Sequence, residues 1–90
     1  MRLTLLSRAY CRLCDEMLAA VQPIALAHGA AIDVIDVDAP ANAALEAAWG
    51  DQVPALFAGA PAIAALLCHY HLDAARVAAA LGRVPDGNPL

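Results

Sequence analysis

The sequence predicts an α/β domain in which a mixed four-stranded sheet is flanked by helices, in the order βαβαββα. Three observations predict it. Short apolar or β-branched runs alternate with longer stretches of helical periodicity, the last two strand-like runs are separated only by a turn, and 90 residues leave room for one core. A strand–helix–strand unit demands a parallel pair joined by a right-handed crossover, whereas a hairpin adds an antiparallel pair, and together they make the sheet mixed.

Arg2 to Ser7 (R-L-T-L-L-S) is short, apolar and bounded by a polar stretch, the pattern of a buried strand. From Asp15 to His28, Leu18, Val21, Pro23, Ile24 and Ala27 recur at helical spacing, and Gly29 follows where a helix ends. Pro23 lies inside this helix and is expected to kink it. Ala31 to Val37 is rich in β-branched residues and reads as the second strand; Asp38 then caps a helix with Pro40 in its first turn, running to about Trp49 and ending at Gly50. Val53 to Ala58 and Ala62 to Cys68 read as two strands joined by Gly59-Ala60-Pro61. A last helix is capped by Asp73 and ends at Gly82. Ferredoxin-like packing shares some of these elements, but it begins strand–helix–strand–strand, and here a helix precedes the hairpin. The domain is expected to span residues 1–83, with 84–90, a string of turn formers without apolar periodicity, as a tail outside the packed core.

Composition excludes several function classes. A hydrophobic fraction of 62% argues for a compact core over disorder. The net charge of -4 and the complete lack of lysine leave no basic stripe for a phosphate backbone, so nucleic acid is not an expected partner. The uncharged stretch Gln52 to Tyr70 is broken by Pro54, Gly59 and Pro61, whereas a membrane helix wants about 20 continuous apolar residues. The apolar run Leu3 to Leu6 is stopped by Arg8, too soon for the roughly 7 to 15 residue apolar region of an export signal. A cytoplasmic monomer is the expectation.

Three cysteines are an odd number, and two of them stand two residues apart, a pattern that favours redox or metal chemistry over a structural disulfide framework. Cys11-Arg12-Leu13-Cys14 falls between the first strand and the first helix. Cys11 therefore sits at or just before a helix N-terminus, where unpaired amides and the positive end of the helix dipole favour thiolate. Arg8 and Arg12 add positive charge nearby, and Asp15 and Glu16 oppose it. The spacing brings the second sulfur close enough to attack a mixed disulfide formed on the first, so Cys11 is assigned as nucleophile and Cys14, the more buried, as resolving residue. The alternatives are a pair of inert core residues or half of a zinc site.

With C-R-L-C after the first strand, Val53-Pro54 opening the third, and this element order, the chain resembles the glutaredoxin-like members of the thioredoxin superfamily, and more narrowly their short bacterial relatives. The resemblance covers Leu3 to about Leu81. It implies a thioredoxin-like fold, thiol–disulfide exchange, a cis bond before Pro54, and a site in which Val53 and Pro54 face the cysteine pair and meet substrate beside Arg12 and Leu13. Glutathione-using relatives resemble one another in a Gly-Gly turn after the fourth strand, followed by an aspartate. Here that stretch is Leu67-Cys68-His69-Tyr70-His71-Leu72-Asp73: Asp73 matches the aspartate, but the glycines are missing, which puts glutathione binding in doubt while leaving glutathione available as an electron donor. Arg12-Leu13 likewise replaces the Pro-Tyr common in glutaredoxins.

His69 and Tyr70 are placed on a substrate-facing rim, with Asp73 beyond them. Cys68, His69 and His71 could join Cys11 and Cys14 around zinc. Distance argues against it: in the family's strand order the fourth strand lies two places from the first, roughly 10 Å away at about 4.8 Å per step, and adjacent strand residues face opposite sides. No metal is assigned. Asp33, Asp36 and Asp38 lack the spacing and central glycine of a calcium loop and read as polar strand positions and a helix cap, and Trp49 reads as a packing residue. The expected partners are a disulfide-containing protein or small thiol and a reductase. A redox-inactive scaffold of the same fold is the competing reading.

Overall fold

A computed structural model describes residues 1–82 of the chain. The residues assigned to a tail, 84–90, lie outside the described residues, as does Arg83.

Strand β1 (Arg2–Ser7) is the centre of the architecture. Leu3, Leu5 and Leu6 are fully buried and Thr4 nearly so, because β1 has strands on both sides and helices on both faces. It pairs in parallel with β2 (Ala31–Asp36) and antiparallel with β3 (Ala55–Ala58), which pairs antiparallel with β4 (Leu66–His69), giving the order β2-β1-β3-β4. The sheet is thus mixed, as expected.

Helix α1 (Arg12–Ala27) buries Cys14, Met17, Val21 and Ala25, a stripe at intervals of three and four residues that matches one face of a helix. That stripe packs on Leu3, Leu5 and Leu56 together with Val77 and Leu81 of α3 (Ala74–Gly82). Alternate residues of the central strands point to the opposite face, where Leu6, Ala55 and Phe57 join Val37 and receive Leu45 and Trp49 of α2 (Ala43–Trp49). Trp49 stands edge-on to Phe57 with ring centroids 5.0 Å apart, the packing role expected of it. Helix α1 continues through Pro23, which is exposed, and ends in a Schellman turn: Gly29 at φ 66° donates to Leu26 and Ala30 donates to Ala25. Among the described residues no helix is long and apolar enough to cross a membrane.

Several elements differ from expectation. Of the α1 stripe expected over Leu18, Val21, Pro23, Ile24 and Ala27, only Val21 is buried, and Pro23 and Ala27 are exposed. The third strand, expected from Val53, begins at Ala55. Asp38 does not cap the second helix; Ala39 precedes a 3-10 turn (Pro40–Asn42), and α2 begins only at Ala43. The turn is organised by Asp36 instead, whose carboxylate accepts from the Asp38 N–H at 2.9 Å and whose carbonyl accepts from the Asn42 amide at 2.8 Å, leaving Asp38 to pair with Arg8. The strand expected over Ala62 to Cys68 begins at Leu66. Ile63–Ala65 forms a 3-10 turn in which Ala65 donates to Ala62, because alanine favours helical over extended backbone and Pro61 supplies no N–H to a ladder. The β3–β4 register then slips between Leu56 and Phe57, with Leu56 opposite Cys68 and Phe57 opposite Leu66.

Helix α3 starts as expected, with the Asp73 carboxylate accepting from the Arg76 N–H at 3.0 Å. Asp73→Ala is expected to lower unfolding free energy by about 0.5–2 kcal/mol, the usual worth of an N-cap, measured from urea midpoints at neutral pH.

Candidate functional site

The C-terminal ends of β1 and β4 and the entry to β3 meet at one end of the sheet. Leu6 lies opposite Ala55, and Ala55 lies opposite His69, so Ser7, Pro54 and Tyr70 follow at the same edge. From Ser7 the chain turns through Ala9 and Tyr10 into α1, and Cys11 is the N-cap residue of that helix. Its sulfur accepts the Cys14 N–H at 3.1 Å, and its carbonyl accepts the Asp15 N–H at 3.1 Å, so the cysteine side chain meets one of the amides that a helix start leaves without an intrahelical partner.

Cys11 and Cys14 are joined as a disulfide with Cα atoms 5.2 Å apart. Cys14 is 1% exposed, whereas Cys11 is only partly covered. One sulfur of the pair is therefore open to a partner and the other is shielded behind it.

The charges around the pair are arranged differently from expectation. Arg12 turns along the helix to Glu16, 3.0 Å away, and both are well exposed. Arg8 reaches Asp38 at 3.4 Å and Glu46 at 3.5 Å. Both guanidinium groups are engaged by carboxylates, which leaves the helix N-terminus as the main source of positive potential at Cys11. The Arg8–Asp38–Glu46 cluster ties the end of β1 to α2; its members lie far apart in sequence, and only the fold shows that they meet.

The Val53–Pro54 bond is cis, as the family resemblance implied. Pro54 is buried, and the Val53 side chain packs against the Phe57 cluster. Tyr70 adopts a left-handed backbone (φ 63°), which costs a non-glycine residue about 1–2 kcal/mol. Its N–H donates to the Pro54 carbonyl at 2.8 Å, its hydroxyl donates to the Asp51 carbonyl, and its ring stands edge-on to His69 with centroids 4.6 Å apart. A small pocket of about 150 Å³ joins Leu13, Glu16, Met17 and Ala20 of α1 to Tyr70, His71 and Leu72. Of the residues assigned to the site, Leu13 and Tyr70 border one pocket, and Tyr70 is linked to Pro54 by a hydrogen bond and to His69 by ring packing. Arg12 is directed away to Glu16, and the Asp73 carboxylate is occupied in capping α3. Sequence reasoning did not find Glu16, Met17 and Ala20 as pocket residues, although their helical spacing from Leu13 is a signal that could have found them.

The chain resembles known proteins in both sequence and fold. The family described as Glutaredoxin-like domain (DUF836) matches residues 2–82. The chain belongs to this glutaredoxin-like family. A protein of Nitrosomonas europaea, solved by solution NMR, is 32% identical and superposes with a TM-score of 0.69, the match covering 87% of each chain. A structural-genomics target protein from X. campestris, solved by X-ray methods, is 35% identical with a TM-score of 0.64, covering 92% of this chain and 99% of that one. Nothing matches among curated proteins. The glutaredoxin-like domain therefore carries a CxxC pair at the helix start of a thioredoxin-like fold.

Its third cysteine, Cys68, lies on β4 with its side chain packed against the α1–α3 core. Burial pushes its thiol above the ordinary range, partly offset by the neighbouring Asp73 main-chain N–H. Among the described residues no three His, Cys, Asp or Glu side chains converge as metal ligands.

Proposed function

We propose that this glutaredoxin-like domain is a thiol–disulfide oxidoreductase. The observation that carries the reading is the N-cap position of a partly exposed Cys11 whose sulfur accepts the Cys14 N–H, with the shielded Cys14 sulfur in bonding reach. In the reduced protein the Cys11 thiolate attacks one sulfur of a substrate disulfide, forming a mixed disulfide and expelling the other sulfur as thiolate. Cys14, losing its proton, then attacks the Cys11 sulfur and expels the second substrate thiolate. Two electrons pass to the substrate, and the protein is left with its Cys11–Cys14 bond. An external dithiol or two glutathione molecules return the electrons by the reverse exchange. The stretch Leu67 to Asp73 lacks the glycine turn of glutathione-using relatives, and this favours glutathione as a donor over glutathione as a tightly held ligand.

The test is alkylation of the reduced protein across pH, read cysteine by cysteine by peptide mass spectrometry. Cys11 is expected to react with a midpoint below the free-thiol value of about 8.5, and Cys68 with a midpoint above it, because one thiolate sits at a helix N-terminus and the other is desolvated. A Cys11 midpoint at or above that value would count against the reading and in favour of a redox-inactive scaffold. The sign for Cys68 also sets a stability trend. Its pKa is raised by folding, so its contribution is present at neutral pH and is lost as pH rises through the free-thiol value toward the higher folded one.

A further inference from the structure

We propose that Tyr70 is a positioning residue that clamps the Asp51–Pro54 segment at the edge of the cysteine site. The inference rests on the exchange function proposed above and adds a residue to it. Two hydrogen bonds leave Tyr70 for the same short segment: the main-chain N–H holds the Pro54 carbonyl at 2.8 Å, and the hydroxyl holds the Asp51 carbonyl. Gln52 and Val53 lie between the two held carbonyls. Tyr70 makes both bonds from a left-handed backbone, at φ 63°, directly after β4. Glycine would adopt that conformation at no steric cost, so the side chain is retained against a conformational penalty.

The ring is fixed as well as the hydroxyl. It packs edge-on to His69 and borders the pocket that contains Leu13, the residue between Arg12 and Cys14. Tyr70 therefore joins the end of β4 to the approach to β3 and faces the same pocket as the start of α1. Because Ala55 is paired to Leu6 and to His69, the far end of the Asp51–Pro54 segment is already set by the sheet. Its near end leaves a 3-10 turn (Gly50–Gln52) and has no ladder to hold it. The hydroxyl bond supplies that second anchor, and the backbone on which a substrate disulfide would dock is held in one place before binding.

Two variants test this. Tyr70→Phe removes the hydroxyl and keeps the ring, and Tyr70→Gly removes both while relieving the backbone. If the clamp operates, both variants speed amide hydrogen exchange at Gln52 and Val53 by about three- to tenfold, the worth of one hydrogen bond. KM for a small disulfide such as hydroxyethyl disulfide rises by a similar factor, while kcat and the pH midpoint of Cys11 alkylation stay at their wild-type values. Wild-type protection of Gln52 and Val53 in Tyr70→Gly overturns the clamp, as does a fall in thermal stability with KM unchanged. Should the wild type exchange no disulfide at all, the functional reading fails, and the two amides still decide the clamp.

Discussion

Cys11→Ser is expected to reduce disulfide exchange to the uncatalysed background, whereas Cys14→Ser is expected to keep the first chemical step and stop at a mixed disulfide. The asymmetry follows from position. Cys11 caps α1, is partly exposed and can be approached by a substrate; Cys14 lies one turn in and is 1% exposed, so it meets only a sulfur already bonded to Cys11. A serine at position 11 can still cap the helix, since hydroxyl oxygen is a good N-cap acceptor, and loss of activity in that variant therefore reports lost chemistry with the fold retained. The check is the exchange rate with hydroxyethyl disulfide, together with intact mass after incubation with a protein disulfide. Cys14→Ser should carry one added substrate chain that a reducing agent removes. Equal rates in wild type and Cys11→Ser would sink the nucleophile assignment.

Phe57→Ala is expected to cost about 3–5 kcal/mol, the largest stability loss predicted here for a single side chain. Phe57 is fully buried between Leu6 and Val37, and its ring receives the edge of Trp49. Removing it opens a cavity in the cluster that joins α2 to the sheet, where Leu6, Val37 and Trp49 pack around the ring. Against a typical total of about 5–15 kcal/mol, such a loss brings the domain near its unfolding threshold. Urea unfolding followed by the Trp49 fluorescence reads the change. Val53 packs on the same cluster, so a folded remnant of this variant should also show a raised KM; a loss below about 1 kcal/mol would mean that α2 closes over the gap.

Both expectations rest on residues whose roles were visible to different degrees before any coordinates. The sheet was legible because burial imposes a pattern: β1 reads as an unbroken apolar run since it is covered on both faces, whereas of the α1 stripe expected over Leu18, Val21, Pro23, Ile24 and Ala27 only Val21 is buried, because an alanine-rich helix offers more than one apolar face. The cysteine site was legible because its two sulfurs are joined by local spacing at a helix start, which needs no long-range partner. Expectation failed where local preference is weak or divided. Ala62 to Ala65 is a short apolar run that fits a strand or a turn equally well, and Asp36 and Asp38 are equivalent as turn formers until the Arg8 guanidinium claims one of them.

The order of elements and the placement of the cysteine pair at a helix start were thus determined by the sequence alone, because each depends on contacts between near neighbours or on a repeating burial pattern. Only the tertiary structure decided how distant polar groups are shared. It directs Arg8 to Asp38 and Glu46, commits the Asp73 carboxylate to α3, and brings the Tyr70 hydroxyl to the Asp51 carbonyl nineteen residues away. A hydrogen bond is short-ranged and directional, and each of these groups has several chemically equivalent partners in the chain. Which one it meets is set by how the sheet registers and the helices dock.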